Sequence, residues 1–266
     1  MATGIFDNAH LEIEDLYLLE AFQIAYLPGY VPECEFAGVL LTYPSIERFL
    51  RKRCPDVTAF LERIKEKHPS KPDARRLPDL EEKVVRGIDD LVGYNRCPEV
   101  YDAAPFHAWD FREVTSIVDL DDRVVFDVGS GTGRVALEAA QYARHVFAIE
   151  PVSRLREFIR NKAADLGLRN LFVGDGFLHS IPFPDDFADV LVTSHALGWR
   201  LQDELRELER VVKQGGYLVH CPGTAETPRE EGQHRALTSP QWGYEFSRYQ
   251  ESDGWKRKYW KVVGPH

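Results

Sequence analysis

Apolar positions along this chain follow two different periods, and the change falls near the middle. In the first ninety residues the spacing is helical. Leu11, Ile13, Leu16, Leu19, Phe22 and Tyr26 mark a first helix. Pro28-Gly29 predicts its end, with a loop to about Gly38. Ser45 after Pro44 predicts an N-cap for a second helix. Pro55 and Asp56 suit the first turn of a third, whose apolar face is Val57, Phe60, Leu61 and Ile64. Lys65 to Pro78 is polar and reads as a loop or hinge. Val84, Val85, Ile88, Leu91 and Val92 form the stripe of a helix from Pro78 to Gly93, with Gly93 expected as its C′ residue.

Residues 94–111 are rich in aromatics: Tyr94, Tyr101, Phe106, Trp109 and Phe111. They lead into a short helix at about 109–119. Beyond it, strand and helix periods alternate. Strands are expected at 124–128, 145–149, 170–173, 189–193 and 217–220. The intervening helices begin at Val135, run from Ser153 to Leu166, and run from Leu201 to Lys213. Such alternation predicts an α/β domain with a mostly parallel sheet, whose ligands sit at the carboxyl ends of the strands. Pro222 to Gln241, with Arg229 and Arg235, reads as a polar loop that covers or selects a ligand. Tyr244–Gln250 and Trp255–Val263, joined through Asp253-Gly254, read as an antiparallel C-terminal hairpin. The basic and aromatic run from Trp255 to Lys261 reads as strand alternation with solvated lysines.

Composition narrows the function. The chain has 266 residues, 44% hydrophobic, and a net charge of −10. That balance disfavours a nucleic-acid binder, which needs a basic face. Cys34, Cys54, Cys97 and Cys221 show no metal-site spacing and suggest reduced thiols in a cytoplasmic protein. No stretch has the length and apolarity of a membrane span or a secretion signal.

The chemistry concentrates at Asp127-Val128-Gly129-Ser130-Gly131-Thr132-Gly133. A buried strand, a glycine turn and a helix N-terminus present backbone N–H groups and a positive dipole end. A dinucleotide fingerprint requires G-x-G-x-x-G, and here the third glycine is displaced. A P-loop requires Gly-Lys-Ser/Thr, whereas Arg134 follows Gly133.

At this point the chain resembles the class I S-adenosylmethionine-dependent methyltransferases, over about residues 109–221. Asp127 to Gly133 resembles the first family motif, with Ser130 where many members carry Cys. Gly174-Asp175-Gly176-Phe177, the stretch Ile181 to Asp189, and Glu207 to Gly216 with Gln214 in place of Pro resemble later ones. The type of acceptor implied is small, as in the ubiquinone/menaquinone methyltransferase group. The resemblance implies a Rossmann-like, mostly parallel seven-stranded sheet in residues 96–266. Residues 1–95 are then a helical N-terminal extension, either a lid or a packed bundle.

It also implies that S-adenosylmethionine binds at Asp127, Gly129, Ser130, Gly131, Thr132 and Gly133. The backbone N–H groups of the turn are expected to be open to the methionine carboxylate. Glu150 would hold the ribose diol, and Pro151 would give an apolar face to the adenine. Asp175, Gly176 and Phe177 would hold the adenine, and Ser194 would lie near the methyl group. His195 is the candidate base, with His179, His220 and His107 weaker. The expected activity is in-line methyl transfer to a small-molecule acceptor. The alternatives are a protein or RNA acceptor and a non-enzymatic cofactor-binding relative. The acceptor atom and the oligomeric state stay open.

Overall fold

The computed structural model describes residues 4–105, 110–221, 228–251 and 254–264. Phe106, His107, Trp109, the 222–227 segment, the Arg229 side chain and the Ser252-Asp253 turn lie outside that description. The chain divides into two compact units, Met1–Ala104 and Pro105–His266.

The first unit is helical. A 3-10 segment, Ile13–Leu18, precedes α1 (Ala21–Tyr30), α2 (Glu33–Thr42) and α3 (Pro44–Arg53). A short Pro55–Val57 3-10 turn, α4 (Thr58–Lys67), α5 (Leu77–Gly87), α6 (Asp89–Arg96) and α7 (Pro98–Asp102) follow. Several boundaries differ from the sequence expectation. Pro28 lies inside α1, because a proline near a helix end removes only one ladder bond, and the helix continues to Tyr30. The expected loop before Gly38 is α2, entered through Pro32 with Glu33 and Glu35 in its first turn. Ser45 sits within α3, and Tyr43 takes the N-cap position. The expected helix from Pro78 to Gly93 breaks at Gly87–Ile88 into α5 and α6. Gly93 is internal to α6, where a Cβ would meet the Phe6 ring at 2.6 Å. It is needed for close approach rather than for a cap.

Cysteine-proline pairs mark two helix junctions. Cys54 ends α3 and Cys97 ends α6, each leaving the helical region before its proline. Proline's ring pushes the preceding residue toward extended backbone, so the pair cuts a helix and starts the next turn in one step.

The second unit is a seven-stranded sheet in the order β3-β2-β1-β4-β5-β7-β6. Its strands are β1 (Val124–Val128), β2 (His145–Ile149), β3 (Leu171–Gly174), β4 (Ala188–Ser194), β5 (Val212–Cys221), β6 (Glu245–Glu251) and β7 (Gly254–Val262). The first five are parallel, and β7 pairs antiparallel with both β5 and β6. The helices are α8 (Arg112–Thr115), α9 (Arg134–Ala139), α10 (Ser153–Asp165), α11 (Leu201–Val211) and α12 (Pro228–Leu237).

Every residue of β1 is buried. Val124, Phe126 and Val128 pack with Leu205, Leu208 and Val211 of α11. Val125 packs with Val135, Ala136 and Ala139 of α9. Burial on both faces accounts for the unbroken apolar run, and each such Val or Leu contributes roughly 1.5–3 kcal/mol.

Three expectations change here. The helix expected to reach Lys213 ends at Val211, and β5 takes Val212 and Lys213. The polar loop expected up to Gln241 contains α12, with Leu237 fully buried against the sheet. The tail lysines are not solvated: Lys256 and Lys258 are 2% and 7% exposed, while Trp255 is 60% exposed. Lys258 Nζ donates to the Glu113 carbonyl and to Ser116 Oγ, so its long aliphatic stem is buried while its charge is partnered.

Candidate active site

From β1 the chain passes outward through β2 and β3, and then β4 returns to the other side of β1. The crevice between β1 and β4 is therefore the topological switch point, where α/β sheets place ligands beyond the carboxyl ends. Two groups of expected site residues converge there: the turn after β1 and Ser194-His195 at the end of β4.

The turn is built by positive φ. Gly129, Gly131 and Gly133 have φ of 75°, 55° and 87°. A Cβ on Gly129 would lie 2.4 Å from the Ala196 Cβ, so side chains are excluded by packing as well as by backbone. The expectation of open N–H groups is corrected in detail. Gly129 and Ser130 N–H donate to the Ile149 carbonyl, and Gly133 N–H donates to the Ser130 carbonyl. Gly131 N–H donates to Glu150 Oε2 at 2.9 Å. The end of β2 lies across the turn and takes the Gly129, Ser130 and Gly131 donors. Ser130 Oγ donates to the Asp127 carbonyl at 2.7 Å and closes the turn from inside.

Asp127 is 1% exposed and accepts the Ala136 N–H at 3.0 Å, pinning the first turn of α9. Burial pushes its carboxyl up to about 7, against the pull of that N–H and of the Arg134 charge. Glu150 is 5% exposed and accepts from Gly131 and Val152 N–H, one on each oxygen. Burial likewise pushes it up to about 7, partly offset by the two N–H groups. Two buried acids thus flank one glycine turn.

Around them the remaining candidates fall into place. Pro151 follows Glu150, and Arg156 Nη1 donates to the carbonyls of both. The same atom meets Asp175 Oδ1 at 3.1 Å, so Asp175 is an exposed acid tied to the β2 end. Arg156 was missed in the sequence because it lies on a helix face with no motif around it. Gly176 leaves no room for a Cβ, which would lie 2.7 Å from Ile149 Cγ2. Phe177 is half-buried and stacks on His179. His220 is sealed between Thr193 Oγ1 and the Tyr244 hydroxyl, and burial pushes it down to about 3. That removes it from contention as a base. Among the described residues no cluster of His, Cys, Asp or Glu fits a metal ion.

Residues 126–220 match the family described as "Methyltransferase domain". That segment is a methyltransferase domain, similar to those of the class I S-adenosylmethionine-dependent methyltransferases. An uncharacterized methyltransferase of Bacillus subtilis is 30% identical over 97 residues, 36% of this chain and 38% of that protein. A cypemycin N-terminal methyltransferase of a Streptomyces is 27% identical, over 54% of this chain and 64% of its own length. The chain thus spans less than two thirds of these relatives. The crystal structure of a SAM-dependent methyltransferase from Aquifex aeolicus shares the fold, with a TM-score of 0.51 at 20% identity, covering 62% of this chain and 95% of that one. None of these matches reaches across the whole chain.

S-adenosylmethionine is the cofactor of this methyltransferase family, and the turn fits it in one respect that packing alone does not explain. Thr132 is fully buried within the glycine turn, and its Oγ1 has no hydrogen-bond partner. A buried hydroxyl without a partner is costly, and a polar ligand seated on the turn satisfies it.

Proposed function

We propose that this protein transfers a methyl group from S-adenosylmethionine to a small-molecule acceptor in a cytoplasmic setting. The observation that carries the reading is the pairing of the buried Glu150 carboxylate with the glycine turn that holds the unpartnered Thr132 hydroxyl. Each Glu150 oxygen already accepts one backbone N–H and keeps further lone pairs for the two ribose hydroxyls. Thr132 supplies a hydrogen bond to the methionine carboxylate. Asp127 adds negative charge near the cationic amino group. Gly176 and Phe177 receive the adenine, with Asp175 at its edge. Ser194 and His195 lie on the acceptor side.

When bound, the cofactor supplies an electrophilic methyl group on a sulfonium. The chain's own part is alignment and exclusion of water, which suffice for much of a displacement reaction. The net charge of −10 favours a small acceptor over a nucleic acid, and free cysteines favour a reducing compartment. The name of the cypemycin relative leaves a peptide amine within the range of acceptors for this site.

Calorimetry with S-adenosylhomocysteine tests the reading directly. Binding to the wild type should weaken at least about tenfold in Glu150→Ala, since a hydrogen-bonded charged group is removed. Turnover of methyl-labelled S-adenosylmethionine against an acceptor panel then names the acceptor class. Absence of binding, or preference for a nicotinamide nucleotide, overturns the proposal.

A further inference from the structure

Arg134, Ser194 and His195 form a continuous hydrogen-bonded chain across the switch point. Arg134 is the first residue of α9, directly after Gly133. Its Nη2 donates to Ser194 Oγ at 2.7 Å. Ser194 ends β4, and its Oγ lies 3.0 Å from His195 Nδ1. The turn that meets the cofactor is therefore joined to the imidazole on the acceptor side by one hydroxyl.

His195 also carries backbone strain. Its φ is +58°, in the left-handed region that a residue with a Cβ rarely adopts. Its N–H donates to the Cys221 carbonyl at 3.1 Å, so β5 holds the strained backbone as well. Such strain persists only where surrounding contacts over-determine it, and it concentrates at functional sites.

The direction of the chain follows from donor chemistry. A guanidinium can only donate, so Ser194 Oγ is an acceptor toward Arg134. The positive charge behind that oxygen polarises its O–H bond away from Arg134. The hydroxyl proton then points to His195 Nδ1, and the three groups reinforce one another as donor, donor and acceptor. With Nδ1–H as donor, Ser194 Oγ would instead accept from both neighbours and its own proton would leave the chain, so the cooperative polarisation from Arg134 to the imidazole would be lost.

We propose that Arg134 is a positioning residue which, through Ser194, fixes His195 as the neutral tautomer with its proton on Nε2. His195 then offers the acceptor a hydrogen-bond donor rather than a basic nitrogen. This selects acceptors that bring an oxygen lone pair beside the reacting atom, such as a carbonyl, carboxylate or phenolate. It argues against neutral hydroxyls that must be deprotonated at Nε2. The inference rests on the methyltransferase reading for its meaning in turnover, but not for its test.

Nitrogen-15 NMR of the imidazoles in the full chain, without cofactor, reads the tautomer. The His195 signals are assigned by their loss in His195→Gln. The wild type should show a pyridine-type Nδ1 and a pyrrole-type Nε2. Ser194→Ala and Arg134→Ala should each move the signals toward a mixed population, while Arg134→Lys, which keeps a charged donor, should restore the bias. If Arg134→Ala fails to fold, Ser194→Ala carries the comparison alone. In turnover, Ser194→Ala should lower kcat about tenfold with little change in KM for S-adenosylmethionine. A wild-type Nδ1–H tautomer, or signals unmoved in Ser194→Ala, overturns the inference. Because the NMR readout needs neither cofactor nor acceptor, it can fail while the methyltransferase reading stands, and the reverse.

Discussion

The helical unit and the sheet unit obey their sequences differently. In the sheet unit, β1, β2 and the glycine turn fall where the pattern of residues places them. In the helical unit most of the expected apolar positions are buried, but the ends of the helices differ. Ile13, Leu16, Leu19, Leu61, Ile64, Val84 and Val92 lie in one core, whereas Tyr26 is exposed and α1 buries Ile24 and Leu27 instead. Yet α1 runs through Pro28, and α2 occupies a stretch with loop signals. Strand burial and turn handedness are local demands that specific residues meet. Helix ends in a bundle are set by what the neighbouring helix covers, and single-residue stop signals worth about 1 kcal/mol yield to that.

The largest test of this contrast is Gly129→Ala. Positive φ and a contact at 2.4 Å act together, so the sheet unit should lose about 3 kcal/mol in thermal or denaturant unfolding and S-adenosylhomocysteine binding should collapse. Near-normal stability would show that the turn can relax and that its geometry is not required.

The next effect is electrostatic. Asp127 and Glu150 sit at about 7 in the fold against ordinary values of 3.8 and 4.5. Between those ordinary values and about 7, the folded chain holds protons that the unfolded chain has released. Their contribution to stability is therefore full at acid pH and is lost as pH rises through 7. His220 acts in the opposite sense. It stays neutral in the fold down to about 3, so stability is lost as pH falls below its ordinary 6.5. Glu150→Gln removes one of the rising-pH losses. Relative to wild type it should gain on the order of 2 kcal/mol between about pH 5 and pH 8 in urea titrations. A constant difference across that range would mean that Glu150 is ionised throughout.

In the helical unit, Gly93→Ala sets a Cβ against the buried Phe6 ring at 2.6 Å. A side chain can yield where backbone cannot, so the loss should be about 1–2 kcal/mol, smaller than at Gly129. A loss as large as that of Gly129→Ala would erase the distinction between the two units. The smallest effect is Ser45→Ala. A true N-cap would lose about 1 kcal/mol, but Ser45 lies inside α3, so the thermal midpoint should correspond to a change within about 0.5 kcal/mol.

The helical unit also carries a cavity of about 780 Å³, lined by Phe6, Leu11, Ile13 and Val85 together with Asp7, Glu12, Glu14, Glu81, Glu82 and Asp89. It is distant in the sequence from every motif that suggests chemistry. Size alone does not make a site, whereas the crevice between β1 and β4 is defined by buried acids, strain and topology.

By itself the sequence determined the strand-turn-helix at Asp127–Arg134, the acid at the end of β2, the Asp175–Phe177 turn and the alternation that makes a parallel sheet. These are short-range features, in which one residue type meets one backbone or solvation demand. Only the tertiary structure decided that the turn's N–H groups are taken by Ile149 and Glu150. It alone revealed that Arg156 ties the β2 end to Asp175, that Lys256 and Lys258 are buried, and that Arg134 reaches Ser194 across 60 residues of chain. Those facts depend on which strands become neighbours. Hydrogen-bond partners and desolvation are properties of contacts between distant segments, and a linear pattern of residues does not contain them.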